Sequence, residues 1–208
     1  MSESLILRDV AGYYGGKARQ HGASPAGVDW RDSASQNLRF QQLIQIARNT
    51  EASILDLGCG YGAMLTYMRR HGHTGRYHGL DIAPEMISMA RATHTNDPSA
   101  AFTLGKKPSE PSDYAIASGI FNVRLDHEND AWRAYIESTL ETLNKASIQG
   151  FAFNCLTSYA DADRKRPDLY YADPGFFFDL CRRKYARNIA LLHDYDLYEF
   201  TILVRKQS

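Results

Sequence analysis

From residue 53 onward, short runs of adjacent apolar residues alternate with segments in which apolar positions recur every three or four. The runs fall at residues 53–57, 76–80, 100–104, 114–118 and 148–155, and helical periods lie at 63–70, 84–92 and 130–143. Pro84 opens the second helical period, a favoured first position. Such alternation predicts a parallel α/β sheet. The end of the chain departs from it. In "RNIALLHDYDLYEFTILVRK" two strand-like runs are joined by only a few residues around 194–196, too few for a parallel crossover, so these strands are expected to be antiparallel neighbours. Upstream, Phe40, Leu43, Ile44 and Ala47 share a helical spacing behind Ser33 or Ser35 as N-cap, which predicts a helix covering one sheet face. Residues 11–30 are rich in glycine, aromatic and cationic residues and follow neither period; they read as a mobile loop or lid, or as a poorly ordered terminus.

Composition bounds this picture. The 208 residues, 44% of them hydrophobic, suit one domain with a single sizeable core, residues 1–50 serving as lid and cap helix and 51–208 as the body. Lys plus Arg and Asp plus Glu number 24 each, so no global positive field would hold a nucleic-acid backbone. Nowhere do 18 apolar residues follow one another, so neither a membrane span nor a signal peptide is expected. Cys59, Cys155 and Cys181 are far apart, odd in number and without metal-ligand spacing; a reduced, cytoplasmic compartment and no metal are the expectation.

Chemistry concentrates in "SILDLGCGYGAML". Gly58, Gly60 and Gly62 follow a strand, where a sharp turn and close ligand approach both favour glycine. Gly58, Gly60 and Ala63 also fit a relaxed G-x-G-x-x-A pattern, which alone is weak. Two carboxylates sharpen it. Asp56, at the strand end, would repel a pyrophosphate and welcome an ammonium; its alternative is a loop-bracing role. Asp81, closing the next strand in "YHGLDIAPEMI", can accept both hydrogen bonds of a ribose diol. A ribose and an ammonium on one ligand suggest S-adenosylmethionine. "ILDLGCGYG" followed by "GLDIAPEMI" resembles the nucleotide-side motifs of class I S-adenosylmethionine-dependent methyltransferases, over residues 50–205.

That resemblance implies a three-layer, doubly wound, seven-stranded sheet, mostly parallel with an antiparallel C-terminal hairpin, beneath an N-terminal helical cap. It implies Asp56, Gly58, Cys59, Gly60, Tyr61 and Gly62 at the methionine portion, Asp81 on the ribose, Ile82 and Met86 near adenine, and Ser118, Gly119 and Ile120 beside the cofactor. Met86 is also a natural core residue on an amphipathic helix. Where many relatives carry an acidic residue for the adenine amino group, this chain has Gly105, Lys106 and Lys107.

Acceptor residues are read from chemistry. Asn122 faces an acceptor pocket or caps its loop. His193, ending a predicted strand beside tyrosines and Glu199, is the candidate general base, with a structural role as its alternative. Tyr14 and Trp30, Tyr159 and Tyr171, and Tyr195 could line a pocket for a planar or glycosidic acceptor. Arg39 neighbours the core-facing Phe40 and could reach a cofactor carboxylate with its planar fork. Tyr198, Phe200, Ile202 and Val204 alternate as one strand face. Arg164, Lys165 and Arg166 are a solvated run, or attract an anionic acceptor. The chain therefore reads as a methyltransferase acting on an oxygen or nitrogen of a small molecule. Its rivals are an RNA or protein methyltransferase, a nicotinamide-dependent oxidoreductase, which would not want Asp56, and a non-catalytic cofactor-binding protein.

Overall fold

The structure, a computed structural model, describes residues 3–207. Two helices, α1 (Glu3–His21) and α2 (Ser33–Ile44), precede the sheet and are linked by a 3₁₀ turn, Pro25–Val28. The body follows as β1 (Ile54–Leu57), α3 (Ala63–Arg70), β2 (Tyr77–Asp81), α4 (Pro84–Thr93), β3 (Ala100–Leu104), β4 (Ser112–Ala117), α5 (Asn129–Lys145) and β5 (Ser147–Thr157). It ends with β6 (Tyr171–Ala172), α6 (Pro174–Lys184), β7 (Asn188–Leu192) and β8 (Glu199–Arg205).

The expected seven-strand path is present in the order β3-β2-β1-β4-β5-β8-β7, and a two-residue strand, β6, pairs with β5 as an eighth. Strands β1 to β5 run parallel, and β8 lies antiparallel between β5 and β7. From β1 the chain winds outward through β2 and β3, then returns to place β4 on the other side of β1. That reversal opens a crevice at the carboxyl ends of β1 and β4, the usual ligand position in open α/β sheets.

Alternation along the strands sorts the core into two layers. Leu55 and Leu57 join α1, α5 and α6 on one face, whereas Ile54, Tyr77 and Ile116 join α2, α3 and α4 on the other. Phe200, Ile202 and Val204 share the first layer as their spacing required, but Tyr198 precedes the strand and is exposed.

Two N-terminal expectations change. Residues 3–21 form a helix, so residues 11–21 of the segment read as a loop or poorly ordered terminus are helical. Gly12, Gly15 and Gly16 weaken it intrinsically, so docking must hold it. Ile6 and Val10 enter the core, each contributing roughly 1.5–3 kcal/mol of burial. Gly15 faces α4, where the Glu85 carboxylate lies 2.9 Å from the place a Cβ would take. The N-cap of α2 is Asp32, whose carboxylate accepts from the Ser35 amide at 2.7 Å; Ser33 and Ser35 are already inside the helix.

Candidate active site

A cavity of about 630 Å³ lies at the carboxyl ends of β1, β2 and β4, with α1 across it. Gly58 and Gly60 form part of its floor, both with positive φ (77° and 53°), which favours glycine there. Their missing side chains let neighbours settle directly on the loop: a Cβ on Gly58 would meet Ile120 at 2.2 Å, and one on Gly60 would meet Val28 at 3.1 Å.

Asp81 closes β2 and faces the same cavity. One carboxylate oxygen accepts from the Gly60 amide at 2.9 Å and the other from the Ala83 amide at 2.8 Å. Burial raises its pKa, while backbone N–H donors pull the other way. The carboxylate thus braces the glycine loop and has lone pairs left for hydroxyl donors. Ile82, Ala83 and Met86 continue the wall, with Gly105 beyond.

The roof is the stripe Leu7, Val10 and Tyr14 of α1, together with Val28 and Trp30. It is clamped at both ends. Glu3 accepts from Lys106 at 3.1 Å and from Ser138 at 3.0 Å; Arg19 pairs with Glu85; Tyr13 and Lys17 each donate to Asp29 at 2.9 Å. On the β4 side lie Ser118, Gly119 and Ile120. Ser118 Oγ is buried there without a hydrogen-bond partner among the described residues.

Ten of the residues singled out from sequence therefore share this cavity: Gly58, Gly60, Asp81, Ile82, Met86, Ser118, Gly119, Ile120, Tyr14 and Trp30. The other ten do not line it. Asp56 lies beneath the glycine loop on the opposite sheet face from Leu57, accepting a hydrogen bond from the Tyr77 hydroxyl. Its other oxygen is buried without a partner among the described residues, and strand alternation is why the side chain does not line the cavity. Cys59 is buried against Gly79; Tyr61 donates to Gln36 at 3.1 Å; Gly62 caps α3.

Arg39 does not reach into the cavity. Its Nε and Nη2 donate to Glu199 at 2.8 and 2.6 Å, because a carboxylate this deep requires a cation. His193 lies just past β7, exposed, packed on the rings of Tyr159 and Phe200 and outside the cavity. Tyr159 is 74% exposed, and Tyr171 bonds the 164–166 loop. Tyr195 is buried with its hydroxyl 2.8 Å from that of Thr201. Asn122 accepts from the Leu156 amide at 3.1 Å, its other amide atom being buried without a partner among the described residues.

Sequence reasoning missed the roof residues Leu7, Val10 and Val28 and the buried pair Glu199 and Asn154. A polar residue inside "FAFNC", opposite a strand beginning with glutamate, was the available signal, since such groups need partners.

Charge in the cavity is mixed. Beside the glycine loop the charged lining residue is Asp81, while farther along the cavity Lys106, Lys107, Lys145 and Lys184 stand among Glu3, Glu110, Glu137 and Glu141; Asp56 lies below the loop, its carboxyl pushed up to about 7 by burial. A carboxylate at the end of β2 has the lone pairs to accept from the two hydroxyls of a ribose.

Fold and site together define a class I, Rossmann-like S-adenosylmethionine-dependent methyltransferase. Residues 54–146 match the methyltransferase domain family. A protein named as a methyltransferase, Rv1506c of Mycobacterium tuberculosis (strain ATCC 25618 / H37Rv), is 54% identical over 156 residues, covering 75% of this chain and 94% of that one. The chain belongs to the methyltransferase family. Among solved structures, the DhpI complex with S-adenosylhomocysteine superposes with a TM-score of 0.66 at 14% identity, covering 98% of each chain. The magnesium protoporphyrin IX methyltransferase ChlM of Synechocystis PCC 6803, with bound S-adenosylhomocysteine, gives 0.64 at 10% identity over 99% of each. These two share the fold. No helix among the described residues is long and apolar enough to cross a membrane.

Proposed function

We propose that this methyltransferase modifies an oxygen or nitrogen atom of a small-molecule acceptor held between the Trp30–Tyr14 roof and the Ser118–Ile120 segment. The observation that carries the proposal is the roof: a clamped helix and an indole lie over a cavity of about 630 Å³, a size suited to small ligands rather than to a folded chain or a polynucleotide. The balance of 24 basic and 24 acidic residues supports the same choice.

S-adenosylmethionine supplies a methyl carbon already activated by a positively charged sulfur. The protein's part is to bind, align and exclude water. Asp81 holds the ribose end, and the glycine loop sets how closely the backbone approaches. Val10, Val28 and Trp30 keep solvent out. Ser118 lines this wall, and a turn of its side chain would bring its buried hydroxyl, which has no partner among the described residues, to an acceptor O–H or N–H. Histidine is absent from the described cavity lining, so alignment carries the reaction in place of a histidine base.

A panel of small phenols, alcohols, amines and N-heterocycles, offered beside total RNA and protein with methyl-labelled cofactor, tests this. Label should enter the small-molecule fraction, and entry into RNA or protein alone would overturn it.

A further inference from the structure

We infer that Glu199 is the hub of a closed ring of contacts, Trp30–Arg39–Glu199–Asn154–Gly119, that positions the β4-side wall of the cavity. The ring joins residues from five places in the chain. Trp30 lies over the Arg39 guanidinium, 3.9 Å from ring centre to carbon. Arg39 donates two hydrogen bonds to Glu199 Oε1 and, through Nη1, one to the Ser35 carbonyl at 2.7 Å. Glu199 Oε2 accepts from Asn154 at 2.6 Å, and Asn154 Oδ1 accepts from the Gly119 amide at 2.8 Å. Contact closes the circuit, for a Cβ on Gly119 would stand 2.2 Å from the Trp30 ring.

Only the two ends of this circuit, Trp30 and Gly119, line the cavity; its middle is sealed, with Arg39 8%, Glu199 1% and Asn154 0% exposed. A buried ion pair is weak grounds for stability, because desolvation offsets most of its attraction. This one is fully connected, and what it fixes is position. A single carboxylate sets both the plane of the indole, through Arg39, and the location of a left-handed backbone amide (φ 74°), through Asn154. Glu199 is thus a positioning residue that acts through its neighbours without touching a ligand.

The place of the ring says what it positions. Along the sheet edge, Asp81 ends β2, the glycine loop follows β1, and Gly119 follows β4. With a ribose on Asp81, the ring borders the far end of the ligand, where the methyl group meets its acceptor. The inference rests on that reading of the cavity. It assigns orientation of the acceptor-side wall to residues on β5, β8 and α2 that lie outside the cavity.

The test uses the full-length protein and needs no acceptor. Glu199→Gln keeps size and removes the charge, Arg39→Lys keeps the charge and loses the flat stacking surface, and Ile202→Val on the same strand is the packing control. Two readouts are taken: acrylamide quenching of Trp30 emission, separated from the buried Trp132 with a Trp30→Phe protein, and calorimetric affinity for S-adenosylhomocysteine. Quenching of Trp30 should rise severalfold in Glu199→Gln and Arg39→Lys. Affinity should fall about tenfold in Glu199→Gln, and less in Arg39→Lys, where Asn154 still holds Gly119. Ile202→Val should match the native protein in both. Native quenching in folded Arg39→Lys overturns the ring, and that variant decides alone if Glu199→Gln does not fold. A native protein that fails to bind S-adenosylhomocysteine refutes the cavity reading instead, and the quenching data still judge the ring.

Discussion

Asp81→Ala is expected to weaken binding of S-adenosylmethionine about 100-fold, because two charge-assisted hydrogen bonds to a ribose diol are together worth about 3 kcal/mol. Part of the loss arises within the protein, since the same carboxylate accepts from the Gly60 and Ala83 amides and so holds the loop against which the ligand lies. Asp81→Asn separates the two effects. It keeps one acceptor oxygen of the same reach and should bind the cofactor with an intermediate affinity. Calorimetry on variants shown by thermal unfolding to be folded decides the matter. Unchanged affinity in folded Asp81→Ala would remove this residue from the binding site.

The second large effect concerns stability. Burial, aided by the nearby Asp81 charge and opposed by the Tyr77 hydrogen bond, pushes the Asp56 carboxyl up to about 7 from an ordinary 3.8. The unfolded chain releases this proton near pH 4, and the native state keeps it until about pH 7. Between those values the native state binds one more proton, so this group's contribution makes stability fall as pH rises, and the fall levels off above pH 7. Asp56→Asn removes the titration. Urea unfolding at pH 5 and pH 8 should therefore show the asparagine variant gaining about 2–3 kcal/mol relative to the native protein over that interval, at about 1.4 kcal/mol per pH unit below 7. Parallel pH profiles for the two proteins would mean that Asp56 ionises normally beneath the loop.

Asp56 and Asp81 also mark how far the sequence could be read. Both were legible as strand-end carboxylates, and the glycine loop between them fixed the sheet edge on which to look. Only Asp81 points into the cavity. Strand alternation assigns Asp56 to the face opposite Leu57, and that alternation was already present in "ILDL". The Arg39–Glu199 pair was beyond reach for a different reason. Its partners are 160 residues apart, brought together by the antiparallel placement of β8 beside β5 and by docking of α2 on that sheet, neither of which leaves a local spacing. Helix α1 was hidden because its inward residues Ile6, Val10, Gly15 and Ala18 include a glycine and an alanine, chosen for close approach rather than for bulk. The placement of His193 outside the cavity was not legible, because a histidine in an aromatic hairpin looks the same whether it faces a ligand or a tyrosine ring.

The claim on which the rest depends is that the cavity beneath α1 takes S-adenosylmethionine. Calorimetric titration of the native protein with S-adenosylhomocysteine, run beside an identical titration with a nicotinamide dinucleotide, addresses it directly. One equivalent of S-adenosylhomocysteine should bind, with no measurable heat from the dinucleotide, whose pyrophosphate would lie against the Asp81 carboxylate beside the glycine loop. Saturable binding of the dinucleotide without binding of S-adenosylhomocysteine would contradict it.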